Sequence, residues 1–317
     1  MNVITRPDST EAAALRAALL GQVGRYRDKT FDFDAFPANR GYPLLARGQM
    51  RFVGAGGSPK VGDSTTLPPK SFTVSLIHQQ PGCFAAAHKH EIEEAFFVFH
   101  GVLTVGWEQG GEAVEVRLGR KDMIMNALDL AHGFRNDDVE PVLMSVMVGV
   151  GKPLPPVYTA HPRDVPEEAA LRFGASTTRR FDPASEHPLM RKMAGNLVRY
   201  ADLEWRADGA GFRRATYVGP GGIASAQNRK EMVGLPPGAG VKPYARPVED
   251  AYFVTEGLLT VGWEENGVVA ETRIGPRELL LTPPGRPHWF RNEGLAAAEF
   301  LMIVGEAGPD GCAFRAA

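Results

Sequence analysis

The sequence predicts an all-β protein made of two tandem barrels, with a short helix near the start and a proline-rich connector between the barrels. Three observations predict it. Sliding the chain against itself by 156 residues aligns GVLTVGWEQGGEAVEVRLGRKD at Gly101 with GLLTVGWEENGVVAETRIGPRE at Gly257, and the register continues without a gap to FRN at Phe134 and Phe290, with 15 of 36 positions identical. Self-similarity of that length means one structural unit built twice. Within each copy the apolar residues come in short runs separated by turn residues, the pattern of an antiparallel barrel or sandwich rather than of a parallel α/β sheet. Finally, 317 residues with 44% hydrophobic content suffice for two cores of ordinary size.

Taken in order, Asp8 to about Gln22 reads as a helix, with Asp8 and Ser9 as N-cap residues and Leu15, Leu19 and Leu20 at helical spacing. Such a helix is expected on the outside of a barrel. Residues 26–57 are rich in aromatics, proline and glycine with little periodicity, as expected for an arm that wraps a neighbour. Strands are expected at Ser71 to Gln79, Ala95 to Phe99, Leu103 to Trp107, Ala113 to Arg117, Met123 to Asn126 and Val142 to Val150. Residues 1–150 thus form the first unit. The connector, 151–196, carries Pro153, Pro155, Pro156, Pro162, Pro166, Pro183 and Pro188, which break any long element, and leaves room for a short helix at Pro166 to Phe173. Strands resume at Leu197 and Ala215 in a second unit, 197–317. The repeated Trp107 and Trp263 are expected to pack between barrels or sheets, and Arg135 and Arg291, also repeated, to serve the frame.

The chemistry is concentrated in Gly82 to Gly101, GCFAAAHKHEIEEAFFVFHG: a glycine, five residues, His-x-His, three residues, a glutamate, six residues and a second glycine. In a strand, residues two apart share a face, so His88 and His90 project together, and the same parity carries on to Glu94. Downstream, HGFRN supplies His132 as a further partner. Three imidazoles and one carboxylate make a mixed nitrogen and oxygen shell suited to a divalent first-row metal with positions left open for water or substrate. A closed structural zinc site would be richer in sulfur.

These residues carry a resemblance to the cupins. Gly82 to Gly101 matches the first cupin motif at each defining position. Asp122 to Asn136 resembles the second, with Ala127 where that family has proline and Asp129 where it has glycine. With its internal repeat the chain resembles a bicupin, which implies two jelly-roll barrels and one divalent metal per chain at His88, His90, Glu94 and His132. Iron or manganese is expected first, although nickel, cobalt and zinc suit the same donors. Bicupins include quercetinase-like and gentisate-like ring-cleaving dioxygenases, oxalate decarboxylases and ureidoglycine aminohydrolases, so the frame alone does not choose a reaction. Glu94 favours the His3Glu shell of quercetinase-like enzymes. The resemblance therefore implies a dioxygenase acting on a small hydroxylated or enolic substrate, aromatic ones included, with Glu94 as ligand and base and His100 as a candidate proton shuttle. His78 is a second candidate shuttle. The alternatives are metal-assisted isomerisation, lysis or hydrolysis, and a non-catalytic binding barrel. Phe72, Phe84, Phe96, Val98 and Phe134 are candidates to line the substrate pocket.

The second copy keeps the frame and changes the ligands. At the same offset His88 becomes Tyr244, His90 becomes Arg246 and Glu94 becomes Asp250, while His132 has His288. A guanidinium stays protonated and offers no lone pair. Arg246 is therefore expected to replace the metal's charge and pair with Asp250, with His288 as a hydrogen-bonded core histidine. Asn136 and Asn292 are expected to hold the turn after each histidine.

Net charge is −2, with the signs interspersed, so no basic surface suggests nucleic acid. Two cysteines, Cys83 and Cys312, make no disulfide ladder, which points to reduced thiols and a cytoplasmic location. No apolar stretch approaches the ~20 residues that span a bilayer, and the N-terminus lacks the unbroken apolar core of a signal peptide. The expected partners are a small-molecule substrate and a second copy of the chain in a homodimer.

Overall fold

A computed structural model describes residues 10–60, 63, 65–309, 312 and 314–317. Asp8 and Ser9, the expected N-cap, lie outside the described residues, and the helix runs over Thr10–Leu20. Among the described residues no helix is long and apolar enough to cross a membrane.

The chain divides into two compact units, and the boundaries differ from those expected at 150 and 197. One unit is Thr30–Asp202, and the other joins the N-terminal segment up to Lys29 to Leu203–Ala317. Long-range pairing sets these boundaries. Leu15 and Leu19, one helical turn apart, are buried in the core of the second barrel, Val23–Gly24 pairs with Leu279–Thr282, and Arg25 reaches Glu278 at 3.0 Å. The connector belongs to the first unit. Its Val157–Ala160 extends one sheet beside Phe84–Lys89, Thr177–Arg180 runs parallel to Glu112–Leu118, and Leu197–Val198 pairs with Met123–Asn126. The expected helix near 166–173 is Glu167–Leu171.

In the first unit two six-stranded sheets face each other. One is ordered Leu197–Val198, Met123–Asn126, Glu94–His100, Val142–Val148, Thr73–Gln79, Gly48–Val53. The other is ordered Val157–Ala160, Phe84–Lys89, Ala131–Arg135, Leu103–Gln109, Glu112–Leu118, Thr177–Arg180. Inward side chains of both, Phe96, Val98, Met144 and Val146 from the first with Val105, Trp107, Val116 and Phe134 from the second, form one buried cluster. This is an antiparallel jelly roll. The segment expected as a wrapping arm supplies its edge strand, Gly48–Val53.

In the second unit a seven-stranded sheet is complemented by a sheet of three, Val268–Ile274, Leu259–Glu265 and His288–Arg291. The missing partner is instructive. Where Phe84–Lys89 pairs as a strand with Ala131–Arg135, the second copy retains only the bridges Gly240↔Arg291 and Tyr244↔His288. Both stand at the same offset as Phe84↔Arg135 and His88↔His132. Pro243, in place of Ala87, has no N–H to give a ladder.

The repeated tryptophans are fully buried inside the core of each barrel. Gly106 and Gly262 are repeated for a packing reason. A Cβ on Gly106 would lie 2.0 Å from the Phe173 ring, and one on Gly262 would lie 2.2 Å from the Trp289 ring. Both copies pack an aromatic ring against this glycine, one from the connector and one from the adjacent strand.

Candidate metal centre

His88 lies in Phe84–Lys89 and His132 in Ala131–Arg135, directly opposite each other across the pair. His90 follows the end of its strand, and after the bend at residues 91–92 the chain enters the other sheet at Glu94, the first residue of Glu94–His100. The strand parity expected to carry on to Glu94 is therefore broken by a turn. Glu94 meets the histidines because the turn moves it to the facing sheet, so the group sits between the two layers.

Donor atoms of the four side chains all lie within 4.8 Å of one another. Glu94 Oε2 is 2.9 Å from His132 Nε2 and 4.0 Å from His88 Nε2, and Glu94 Oε1 is 3.6 Å from His90 Nε2. Ligand atoms about 2.1 Å from a shared ion stand roughly 3–4 Å apart, so the spacing fits one divalent ion. Exposure is 5% for His88, 6% for His90, 5% for Glu94 and 1% for His132, which means the set is withdrawn from water. His88 Nδ1 and His132 Nδ1 each lie 2.8 Å from a carbonyl, of Ala86 and Leu130. A carbonyl only accepts, so both rings carry their proton on Nδ1 and present a bare Nε2 to the centre.

Electrostatics favour the same state. Burial lowers the proton affinity of His88 strongly and of His90 as well, keeping those rings neutral. Burial alone would raise the Glu94 carboxyl, but the neighbouring His90 and His132 outweigh it and hold the group at about 2. Neutral imidazoles around an ionised carboxylate are the ligating forms.

The departures from the second cupin motif are accommodated locally. Asp129 adopts φ 55° and its N–H donates to the His90 carbonyl at 2.9 Å, while Gly285 takes φ 76° in the other copy. Aspartate is among the few side chains that tolerate this left-handed region, so the turn survives without glycine.

In the second barrel Arg246 Nε donates to Asp250 Oδ2 at 2.9 Å and His288 Nε2 lies 3.0 Å from the same oxygen, with all three buried. Tyr244 and Tyr252 share a hydroxyl hydrogen bond beside them. His288 Nδ1 also donates to the Arg286 carbonyl at 2.7 Å. Tyr244, Arg246, Asp250 and His288 thus form an internally paired cluster. Among the described residues the only metal-ligand group is the one in the first barrel.

Other candidates fall elsewhere. His100 is exposed at the far end of its strand, about 20 Å along the chain from Glu94 at 3.3 Å per residue, which removes it from the centre. His78 stacks with Phe31 and Phe33, its neighbour Ile77 being the one that faces the site cavity. His161, in the connector, is fully buried between Tyr42 and Tyr158. Of the five apolar residues expected around substrate, Phe134 lines the cavity, while Phe96 and Val98 fill the core, Phe84 belongs to a separate cluster and Phe72 is buried away from the cavity lining. Asn136 donates to the Gln79 and Glu140 carbonyls, and Asn292 does the same with Leu235 and Ala296, so both hold the turn. Sequence reasoning missed Arg47 and Gln49, which border the cavity beside His88, His90 and Glu94.

The polypeptide thus holds two jelly-roll barrels, one of them with an inward His3Glu group. The Cupin domain family matches residues 231–304, within the second barrel. No curated protein sequence matches the chain. Among solved structures, a point mutant of Bacillus subtilis oxalate decarboxylase aligns with TM-score 0.63 at 13% identity over 96% of this chain and 85% of that one. The formate complex of Lactobacillus farciminis oxalate decarboxylase aligns with TM-score 0.62 at 12% identity, covering 90% and 86%. A Bacillus subtilis oxalate decarboxylase structure concerned with Mn(II) centres aligns with TM-score 0.62 at 13% identity, covering 96% and 85%. At these identities the likeness is one of fold, that of two tandem cupin-type jelly-roll barrels.

Proposed function

We propose that the chain is a metal-dependent enzyme that binds one divalent ion, manganese or iron, at His88, His90, Glu94 and His132, and cleaves a small hydroxylated or enolic substrate with dioxygen. One observation carries this reading: three imidazoles and one ionised carboxylate, buried between two sheets with donor atoms within 4.8 Å, form a group with no role in the frame. The second barrel folds without it. When bound, the ion supplies a Lewis acid with open positions for substrate oxygen.

The chain's own residues set the conditions. Ala86 and Leu130 carbonyls fix the tautomer of His88 and His132. Glu94 has both oxygens engaged by histidines and its proton affinity is low, so it serves as ligand rather than as the proton acceptor first expected. Phe36, Phe134, Ile77, Val146 and Pro156 give the cavity an apolar wall that excludes water from the reacting group.

A second reading is oxygen-independent cleavage of a small acid. It is supported by the size of the cavity, about 30 Å³ of free volume, and by the arginine at its edge; the fold shared with oxalate decarboxylases is compatible with it. The test is elemental analysis of protein purified without chelator, followed by oxygen-electrode traces with a panel of small hydroxy, keto and enolic acids. Oxygen uptake in step with product supports the first reading, and product without uptake supports the second. Protein that retains no divalent metal would sink both.

A further inference from the structure

Arg47 is buried to 5% exposure at the wall of the metal cavity, and its Nη1 has no hydrogen-bond partner. Its guanidinium carbon lies 4.1 Å from the centre of the Phe36 ring and 5.7 Å from that of Phe134, so two aromatic faces hold it in place. Tyr158 and Glu94 are the groups that favour its charge against burial. Leaving a protonated fork buried without a full set of acceptors is costly unless a ligand completes it. Arg47, Gln49 and Arg51 alternate along one strand edge and all are buried, but the other two are satisfied. Gln49 Nε2 donates to the Ala55 carbonyl at 3.1 Å, and Arg51 donates to Gln49 and Ser58 and faces Asp32 at 3.6 Å.

Comparison of the two barrels isolates this residue. Gly48 pairs opposite His78, and Arg213 pairs opposite Gly234, the position 156 residues after His78. The residue equivalent to Arg47 is therefore Phe212, at an offset of 165 residues because the segment from this strand to the next is shorter in the second copy. Phe212 packs against Phe290 at 5.5 Å, just as Arg47 faces Phe134, the counterpart of Phe290. The barrel with the ligand set has a cation where the barrel without it has a phenyl ring.

Charge balance gives the cation a purpose. A divalent ion, Glu94 and three neutral imidazoles would sum to one positive charge, and Arg47 makes two in a partly apolar cavity. Such a site is completed by an anion, and a guanidinium fork matches a carboxylate in both shape and charge. We infer that Arg47 is a substrate-positioning residue that receives the carboxylate of a small organic acid whose other oxygens reach the metal. This rests on the metal-centre reading above, and it narrows the substrate class from small hydroxylated or enolic molecules to small carboxylates.

The test uses the full chain loaded with Mn(II), with acetate and pyruvate as probes and acetamide as the uncharged analogue of acetate. Binding is read by calorimetry and by the electron paramagnetic resonance of the bound ion. The wild type is expected to bind pyruvate and acetate and to reject acetamide, and Arg47→Met to weaken carboxylate binding by about 10- to 100-fold at unchanged Mn(II) content. Arg47→Lys, which keeps the charge without the fork, should fall between the two and serves as the readable variant if the methionine protein does not fold. Equal carboxylate affinity in wild type and variant, or equal binding of acetamide and acetate, overturns the assignment while the metal centre stands. A wild type that takes up neither Mn(II) nor Fe(II) overturns the metal centre, and the charge argument for Arg47 falls with it.

Discussion

Arg246 Nε lies 2.9 Å from Asp250 Oδ2, at the two positions that stand 156 residues after His90 and Glu94. In the first barrel those positions present a ligand pair, and in the second a guanidinium supplies the positive charge directly. Both partners are 1% exposed, so the pair is withdrawn from water.

Breaking such a pair by removing one member costs about 3–5 kcal/mol. Arg246→Met is therefore expected to lower unfolding free energy by about that much in urea titration, with metal content still one ion per chain. A variant as stable as the wild type would show that the pair does not hold the second barrel together. A rise to two ions per chain would show that the arginine's role is to keep a metal out.

His90→Ala should leave the fold intact, because the ring's Nδ1 has no partner in the frame, and should weaken metal binding by at least ~100-fold. Chelator treatment should lower the melting temperature of the wild type and leave that of His90→Ala unmoved, since a ligand bound to the native state alone stabilises it by mass action. Equal melting temperatures of wild type with and without chelator would contradict this.

Gly106→Ala forces its methyl into the ring of Phe173, which the added Cβ would approach to 2.0 Å. Overpacking of this kind costs about 1–3 kcal/mol, read as a lower denaturation midpoint. Phe173→Ala in the same chain should remove the clash, so the double variant loses less stability than the sum of the two single ones.

Asp137 gives a pH-dependent prediction. Burial tends to raise its pKa, but hydrogen bonds from Arg135 and the neighbouring positive charge lower it below its ordinary 3.8. A depressed folded-state pKa stabilises above the unfolded value, and that contribution is lost as pH falls through the folded one. Asp137→Asn should thus melt earlier than wild type at neutral pH, by an amount under about 1 kcal/mol because the carboxylate is 43% exposed. The two should converge as pH drops below 3.8, and a gap that persists there would assign the effect to something other than charge.

The repeat, the jelly-roll strands and the four ligands were legible in the sequence because each is a matter of local spacing. His-x-His sets two rings close together, Glu94 follows within one turn, and the tandem copies align residue for residue around them. The turn that carries Glu94 to the facing sheet was not legible, since parity reads on through a bend that leaves no gap in the pattern. The left-handed Asp129 was visible only as a departure from the motif.

By itself, then, the sequence determined the class of fold, the count of barrels and the donor set that distinguishes one from the other. Tertiary structure alone decided that helix Thr10–Leu20 packs into the second barrel, that the connector completes the first, and that Arg47 borders the metal cavity. The physical reason is the same in each case. Such contacts join residues tens to hundreds of positions apart, and their choice depends on which buried surfaces and charges fit together, a quantity that no short-range periodicity encodes.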